Sequence, residues 1–151
     1  MTMREILFRG KRVDNGEWAK GYYIEAHYHW HNHGVHKEWI VSAACANGGW
    51  FTIYGRYPVV ADTVGQYTGL TDKNGKKIFE GDVVKRCFTL TRGPNKESRE
   101  TQVGVVRYDN VTCGYLIRGA CNLRRQWPGD TIEVIGNIHD NPELLEDESH
   151  G

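Results

Sequence analysis

Histidines are the most conspicuous chemical groups in this chain. His27, His29, His31 and His33 alternate with other residues, and His36 follows them. Side chains in a β-strand alternate between two faces, so four of these imidazoles would share one face and could hold a zinc, nickel or copper ion. A native site needs further ligands and groups that orient the rings, and no Asp or Cys at a recognised spacing supplies them. The run supports the hypothesis of a metal-dependent enzyme. The alternative is a polar edge or loop of exposed histidines, and we expect no resident cofactor.

Other catalytic groups are sparse. None of the three serines lies in a Gly-x-Ser-x-Gly turn, and the chain has no His-Glu-x-x-His motif, phosphate-binding loop or dinucleotide fingerprint. The four cysteines are irregularly spaced, with no Cys-x-x-Cys pair. No secretion signal opens the chain and no apolar run is long enough to span a membrane. We therefore predict a soluble cytoplasmic protein with reduced thiols that is not an enzyme.

Charge is unevenly distributed along a chain whose net charge is zero. Residues 1–71 carry 7 basic and 6 acidic side chains, residues 72–125 carry 12 and 6, and residues 126–151 carry 0 and 7. Aromatic residues interrupt the basic segment, as they do in small barrels that bind single-stranded nucleic acid. The alternative is internal or intersubunit compensation on a solvated surface. The weak candidates for binding residues are Gln66, Tyr67, Lys85, Arg86 and Trp127.

Turn signals and residue composition predict the elements that must position these groups. Three Asn-Gly pairs, Asn15-Gly16, Asn47-Gly48 and Asn74-Gly75, are typical of β-hairpin turns, and strand-like segments flank each pair. Further short strands are predicted over 82–91, 101–108, 114–118 and 131–135. The sequence therefore predicts an all-β, mostly antiparallel fold.

We predict an N-terminal β-hairpin region over 1–70 and an SH3-like small β-barrel over 71–140. A short C-terminal helix and acidic tail follow over 141–151, because Asn141-Pro142-Glu143 combines an N-cap residue with proline at the first helical position. No Pro/Ser-rich linker separates these parts, so we expect them to pack as one unit. Five Trp and eight Tyr suggest an interface, so a homo-oligomer is plausible.

Five sequence blocks together resemble the YopX family of phage and prophage proteins. The most specific block runs from Gly65-Gln66-Tyr67 to Val84, preceded by Thr63-Val64, and it contains Asp72-Lys73-Asn74-Gly75. The others are Arg4 to Lys11, Gly16-Glu17-Trp18, Gly21-Tyr22, and Glu133 to Leu145. The resemblance implies a small β-rich protein encoded by a phage or prophage. It carries over no catalytic residue, since the family has no established biochemical function.

These observations favour a phage accessory protein that binds a host or phage protein through its β-surfaces. The alternative is a nucleic-acid-binding barrel that uses the basic 72–125 segment. A metal-dependent enzyme built on His27–His33 is the third hypothesis. None of these readings involves a membrane.

Overall fold

The computed structural model describes residues 3–25, 38–45, 51–91, 93–94, 97–118, 121–122 and 131–145. The chain divides into two compact units, Met1–Tyr67 and Thr68–Gly151. Among the described residues, no helix is long and apolar enough to cross a membrane. The histidine run, Asn47-Gly48 and Trp127 lie outside the described residues.

The first unit is built on an antiparallel sheet in the order β4-β3-β2-β1-β5. Its strands are β1 Phe8–Lys11, β2 Trp18–Glu25, β3 Glu38–Cys45, β4 Phe51–Pro58 and β5 Gly65–Thr71. Asn15-Gly16 forms the predicted turn between β1 and β2, and Gly16 has a φ of 72° that favours glycine. Strand β5 continues into the second unit, where its neighbour is β6.

One face of the first sheet carries the core of the first unit. Ala19, Ile40 and Val59 are buried there, and four partly buried side chains pack against them: Phe8, Tyr23, Tyr57 and Val64. A 3₁₀ turn at Ala61–Thr63 follows β4. The Thr63 hydroxyl accepts a hydrogen bond from the Lys11 N–H at 2.8 Å and donates one to the Val60 carbonyl at 2.6 Å, so it ties this turn to β1.

The second unit contains an antiparallel sheet in the order β10-β9-β8-β7-β11. The strands of this unit are β6 Lys77–Phe79, β7 Asp82–Thr91, β8 Glu97–Asp109, β9 Gly114–Ile117, β10 Cys121–Asn122 and β11 Thr131–Asn137. Six buried side chains form the core: Ile78, Val84, Val106, Tyr115, Ile117 and Ile132. The partly buried side chains of Leu70 and Val134 pack against them.

The all-β, mostly antiparallel prediction is confirmed, but two finer predictions are not. The described strands form no closed barrel, so the SH3-like barrel over 71–140 is not confirmed. The predicted C-terminal helix is represented among the described residues by a single 3₁₀ turn at Pro142–Leu145. Residues 146–151 of the predicted helix and tail lie outside the described residues, so the helix is not confirmed.

A buried carboxylate holds the turn after β5 against β11. Asp72 accepts hydrogen bonds from the backbone N–H groups of Asn74 at 2.8 Å, Lys76 at 2.9 Å and Val134 at 3.0 Å. Desolvation alone would raise the pKa of Asp72, but the N–H donors of Val134, Lys76 and Asn74 outweigh it and lower that pKa below its usual range. The ionised carboxylate therefore joins residues that are 62 positions apart in the chain.

We predict that Asp72→Asn lowers the free energy of unfolding at neutral pH by about 1–3 kcal/mol, because the amide directs an N–H at one of the three backbone donors. The pKa of Asp72 is lower in the folded protein than in the unfolded chain. Its stabilisation is therefore complete above the unfolded pKa of about 3.9 and is lost as pH falls through the folded pKa. Urea unfolding of both proteins at pH 7 and at acid pH measures this.

The exposed Asp62→Asn serves as the matched control and should unfold like the wild type at both pH values. A difference between Asp72→Asn and the wild type that does not shrink as pH falls would contradict this role for the ionised carboxylate.

Candidate functional site

The pairing register separates the side chains of the first sheet into two faces. Residues directly opposite each other on paired strands share a face, and successive residues alternate. Phe8, Tyr23, Ile40 and Tyr57 lie on the inner, core-bearing face, and the rings of Phe8 and Tyr23 are 5.7 Å apart. The opposite face, here called the outer face, carries this set: Arg9, Lys11, Trp18, Lys20, Tyr22, Ile24, Trp39, Val41, Ile53, Arg56 and Pro58.

The outer face combines cations with aromatic rings. The Arg9 guanidinium lies 4.6 Å from the centre of the Trp18 ring, and the Lys11 ammonium lies 5.7 Å from it on the neighbouring strand. Both distances are within the range of cation–π attraction. Arg9 is buried while Trp18 is half-buried, so Arg9 braces a ring that remains partly accessible.

Tyr22 has two exposed cations in its surroundings on this face, one along its own strand and one two strands away. Lys20 precedes it by two residues on β2, a spacing of about 7 Å along a strand. Tyr22 is opposite Val41 on β3, and Val41 is opposite Arg56 on β4. Tyr22 is 56% exposed and Ile24, two residues further along β2, is 46% exposed. These two side chains contribute exposed apolar surface next to Lys20.

Carboxylates in the described strands of the first unit do not lie on the outer face. Glu25 and Glu38 are directly opposite each other on the inner face. Their negative charges add to burial, the larger cause, in raising the pKa of Tyr23 on that same face. In the described strands of the first unit, the basic side chains therefore lie on the outer face and the acidic ones on the inner face. The near-neutral total charge of residues 1–71 does not show this separation.

A shallow cavity of about 260 Å³ opens beside the β1–β2 turn, lined by residues that include Arg12, Glu17, Ser42 and Tyr57. Arg12, one of the two cations in this lining, is engaged by its neighbours. Arg12 stacks 4.6 Å from the centre of the Tyr57 ring, forms two hydrogen bonds with Asp14 and lies 4.0 Å from Glu17. The hydrogen bond between the side chains raises the pKa of Arg12 and lowers that of Asp14. This arrangement stabilises the β1–β2 turn. The second cation in the lining is Lys20, which belongs to the outer face.

The sequence-predicted binding residues are not gathered into one surface. Gln66 and Tyr67 are neighbours on β5 in the first unit. Gln66 is half-buried opposite Phe8, and Tyr67 is buried with its N–H donating to the Leu7 carbonyl at 2.8 Å.

Lys85 and Arg86 are neighbours on β7 in the second unit and point to opposite faces of its sheet. Lys85 is exposed opposite Glu133 on β11. Arg86 is buried, with its guanidinium 4.7 Å from the centre of the Phe88 ring. Trp127 lies outside the described residues, as do the metal candidates His27, His29, His31 and His33. Within the described parts of the chain, no group of three or more His, Cys, Asp or Glu side chains is placed to hold a metal.

The basic 72–125 segment is electrostatically mixed where the structure describes it. Lys73 forms an ion pair with Glu133 at 2.6 Å, and the hydrogen bond between them raises the pKa of Lys73. Arg99 and Arg107 alternate on β8 with the carboxylates of Glu97 and Asp109 on one face of the sheet. This pattern matches the compensation alternative from the sequence.

The sequence alone does not predict Lys20, Arg56 and Tyr22 as candidate binding residues. Lys20 and Arg56 are 36 residues apart in a segment whose charges nearly cancel. Period-two alternation in β2 carried a signal for Lys20, Tyr22 and Ile24, but it could not show that Arg56 joins them.

Comparison with known proteins is consistent with this fold. Residues 7–146 match the family described as YopX protein, so the chain belongs to the YopX family. No curated protein matches it. The crystal structure of protein EF1440 from Enterococcus faecalis is similar, with a TM-score of 0.53 and 21% sequence identity over 95% of this chain and 99% of that chain. At that identity the likeness concerns the fold.

Adjacent tyrosines on opposite faces provide a test of the outer face. We predict that Tyr22→Ala changes the free energy of unfolding by no more than about 0.5 kcal/mol, because this side chain is largely exposed. Tyr23→Ala removes a half-buried ring packed on Phe8 and should cost about 2–3 kcal/mol, below the cost for a fully buried aromatic. Urea unfolding of the two variants measures the difference. An equal loss for both would show that the outer face is part of the core.

Proposed function

We propose that this YopX-family protein is a non-enzymatic binding protein that recognises a negatively charged macromolecule through the outer face of its first unit. We further propose that a phage or prophage encodes it as an accessory protein and that it acts in the bacterial cytoplasm. The observation that carries the proposal is the outer face itself, where Lys20 and Arg56 lie close to an exposed tyrosine. Carboxylates of the described strands are absent from this face.

The described carboxylates of the second unit support a binding role rather than a catalytic one. Asp82 is buried and accepts a hydrogen bond from the Phe79 N–H at 2.8 Å. Asp109 accepts hydrogen bonds from the Thr112 hydroxyl and N–H, which lower its pKa. Together with Asp72, these groups organise turns, as Asp commonly does.

The binding surface proposed here differs in place from the basic 72–125 segment. The interspersed Glu97, Asp109 and Glu133 would repel a polyanion from the described part of that segment. A host or phage protein with an acidic surface, or a nucleic acid, would each suit the outer face by charge. Assembly into a homo-oligomer stays a prediction and is compatible with either partner.

We predict that the immobilised full chain captures a saturable acidic partner from host lysate. Lys20→Glu combined with Arg56→Glu should reduce this capture at least tenfold by reversing the potential of the outer face. Lys85→Glu combined with Lys77→Glu makes the same change in net charge on the second unit and should leave capture within about twofold of the wild type. Quantification of bound protein and bound nucleic acid in the eluates measures both.

Equal losses in the two double variants would show that only net charge matters and would contradict a specific surface. Absence of any saturable partner would also contradict the proposal.

A further inference from the structure

We infer that the outer face of the first unit binds single-stranded nucleic acid, with bases stacked on its exposed aromatic side chains and phosphates beside its lysines and arginine. This inference rests on the proposed function and names the class of partner. Three properties of the face support it: its exposed and half-buried cations, its aromatic rings, and the presence of both on one surface that a polyanion with unpaired bases could use.

Three cations of the outer face are accessible to a phosphate backbone. Lys20 and Arg56 are exposed and Lys11 is half-buried, whereas Arg9 is buried beneath Trp18. Lys20 lies on β2, Arg56 on β4 and Lys11 on β1. These three cations are therefore distributed across the sheet and not confined to one strand. A strand of nucleic acid that crosses the sheet would meet them in turn.

Three aromatic rings lie on the same face as these cations. Tyr22 is the most exposed of them at 56%, while Trp18 and Trp39 are half-buried on the same face. Trp39 is directly opposite Ile24, which extends the apolar surface next to Tyr22. An open sheet that presents aromatic rings from neighbouring strands is a known platform for unpaired bases.

The interleaving of charge and rings favours nucleic acid over protein. The centres of protein–protein interfaces are depleted in charged residues, and lysine in particular is under-represented. On the outer face, Lys20 lies two residues from Tyr22 on the same strand, and Arg56 lies opposite Val41, the pairing neighbour of Tyr22, so both cations lie close to the exposed ring. Cationic surfaces with stacking rings are the common design of proteins that bind single strands.

The rings also favour a single strand over a duplex. Base faces in a duplex are stacked on each other, so a duplex would contact the cations through its phosphates and gain little from Tyr22. An unpaired base can lie on Tyr22 while its flanking phosphates reach Lys20 and Arg56. Tighter binding of a single strand than of a duplex therefore distinguishes base stacking on Tyr22 from attraction of phosphates to the cations alone.

The test is fluorescence anisotropy of a labelled oligothymidylate of about 16 nucleotides, the upper end of the site size of one small β-domain, titrated with the full chain. With three accessible cations, the logarithm of the affinity should fall against the logarithm of salt concentration with a slope of about −2, or about twentyfold between 50 and 200 mM. Tyr22→Ala should weaken binding at least fivefold, since one base–aromatic stack contributes this much or more.

Matched variants separate stacking, local charge and net charge. Tyr22→Phe keeps the ring and should bind like the wild type. Lys20→Ala with Arg56→Ala should reduce the salt slope to about −0.7, the value for one remaining cation. Lys77→Ala with Lys85→Ala removes the same charge from the second unit and should leave affinity and slope unchanged.

Polyglutamate of matched length and a duplex of the same length serve as comparison ligands. Weaker binding of both, with the Tyr22→Ala effect confined to the single strand, supports the inference. Equal binding of all three ligands, or a wild-type affinity for Tyr22→Ala, overturns it. If the oligonucleotide does not bind but the lysate yields a protein that needs Lys20 and Arg56, the inference fails while the proposed function stands.

Discussion

The register of β1 to β4 is the constraint on which the candidate surface depends. Side-chain direction alternates with a period of two, so a slip of one residue would bring Lys20 and Tyr22 into the core and expose Ala19. Close backbone contacts prevent such a slip. A Cβ atom at Gly21 would lie 2.3 Å from the Val41 carbonyl oxygen. Only glycine fits at this position, so the register of β2 against β3 is fixed there. The cations on the alternate residues of β2 therefore point to the outer face.

Local sequence signals predict the strands well because they act over short distances. The Asn15-Gly16 turn, the Asn74-Gly75 turn and the bounds of β7 all follow from turn chemistry and β-branched residues. Barrel closure depends instead on which distant strands pair and in which register, and no local pattern determines that. The capping residues Asn141 and Pro142 indicate where a helical segment begins, and a 3₁₀ turn does begin at Pro142, but capping residues do not determine how far a helix extends.

The candidate surface is harder to predict than the fold. A count along the chain gives only the total charge of a segment, whereas the potential of a surface depends on which charged side chains share a face of the sheet. Residues 1–71 appear almost neutral, yet pairing places Glu25 and Glu38 on one face and Lys20 and Arg56 on the other. The basic excess of residues 72–125 is the reverse case, because the sequence predicts a positive surface and the fold brings carboxylates next to the basic side chains. Much of its described part is interspersed with carboxylates, and the Lys73–Glu133 pair links it to the acidic end of the chain. Gln66 and Tyr67 show the same limit, since neighbours on a strand face opposite ways.

Hydroxyl-radical footprinting of the full chain, with and without a bound single strand, tests the central claim most directly. Tyr22 and Ile24 should be protected by the ligand. Tyr108 and Val111 are exposed in the second unit and should react equally in both states. Protection of Tyr108 and Val111 with no change at Tyr22 and Ile24 would contradict the assignment of recognition to the outer face of the first unit.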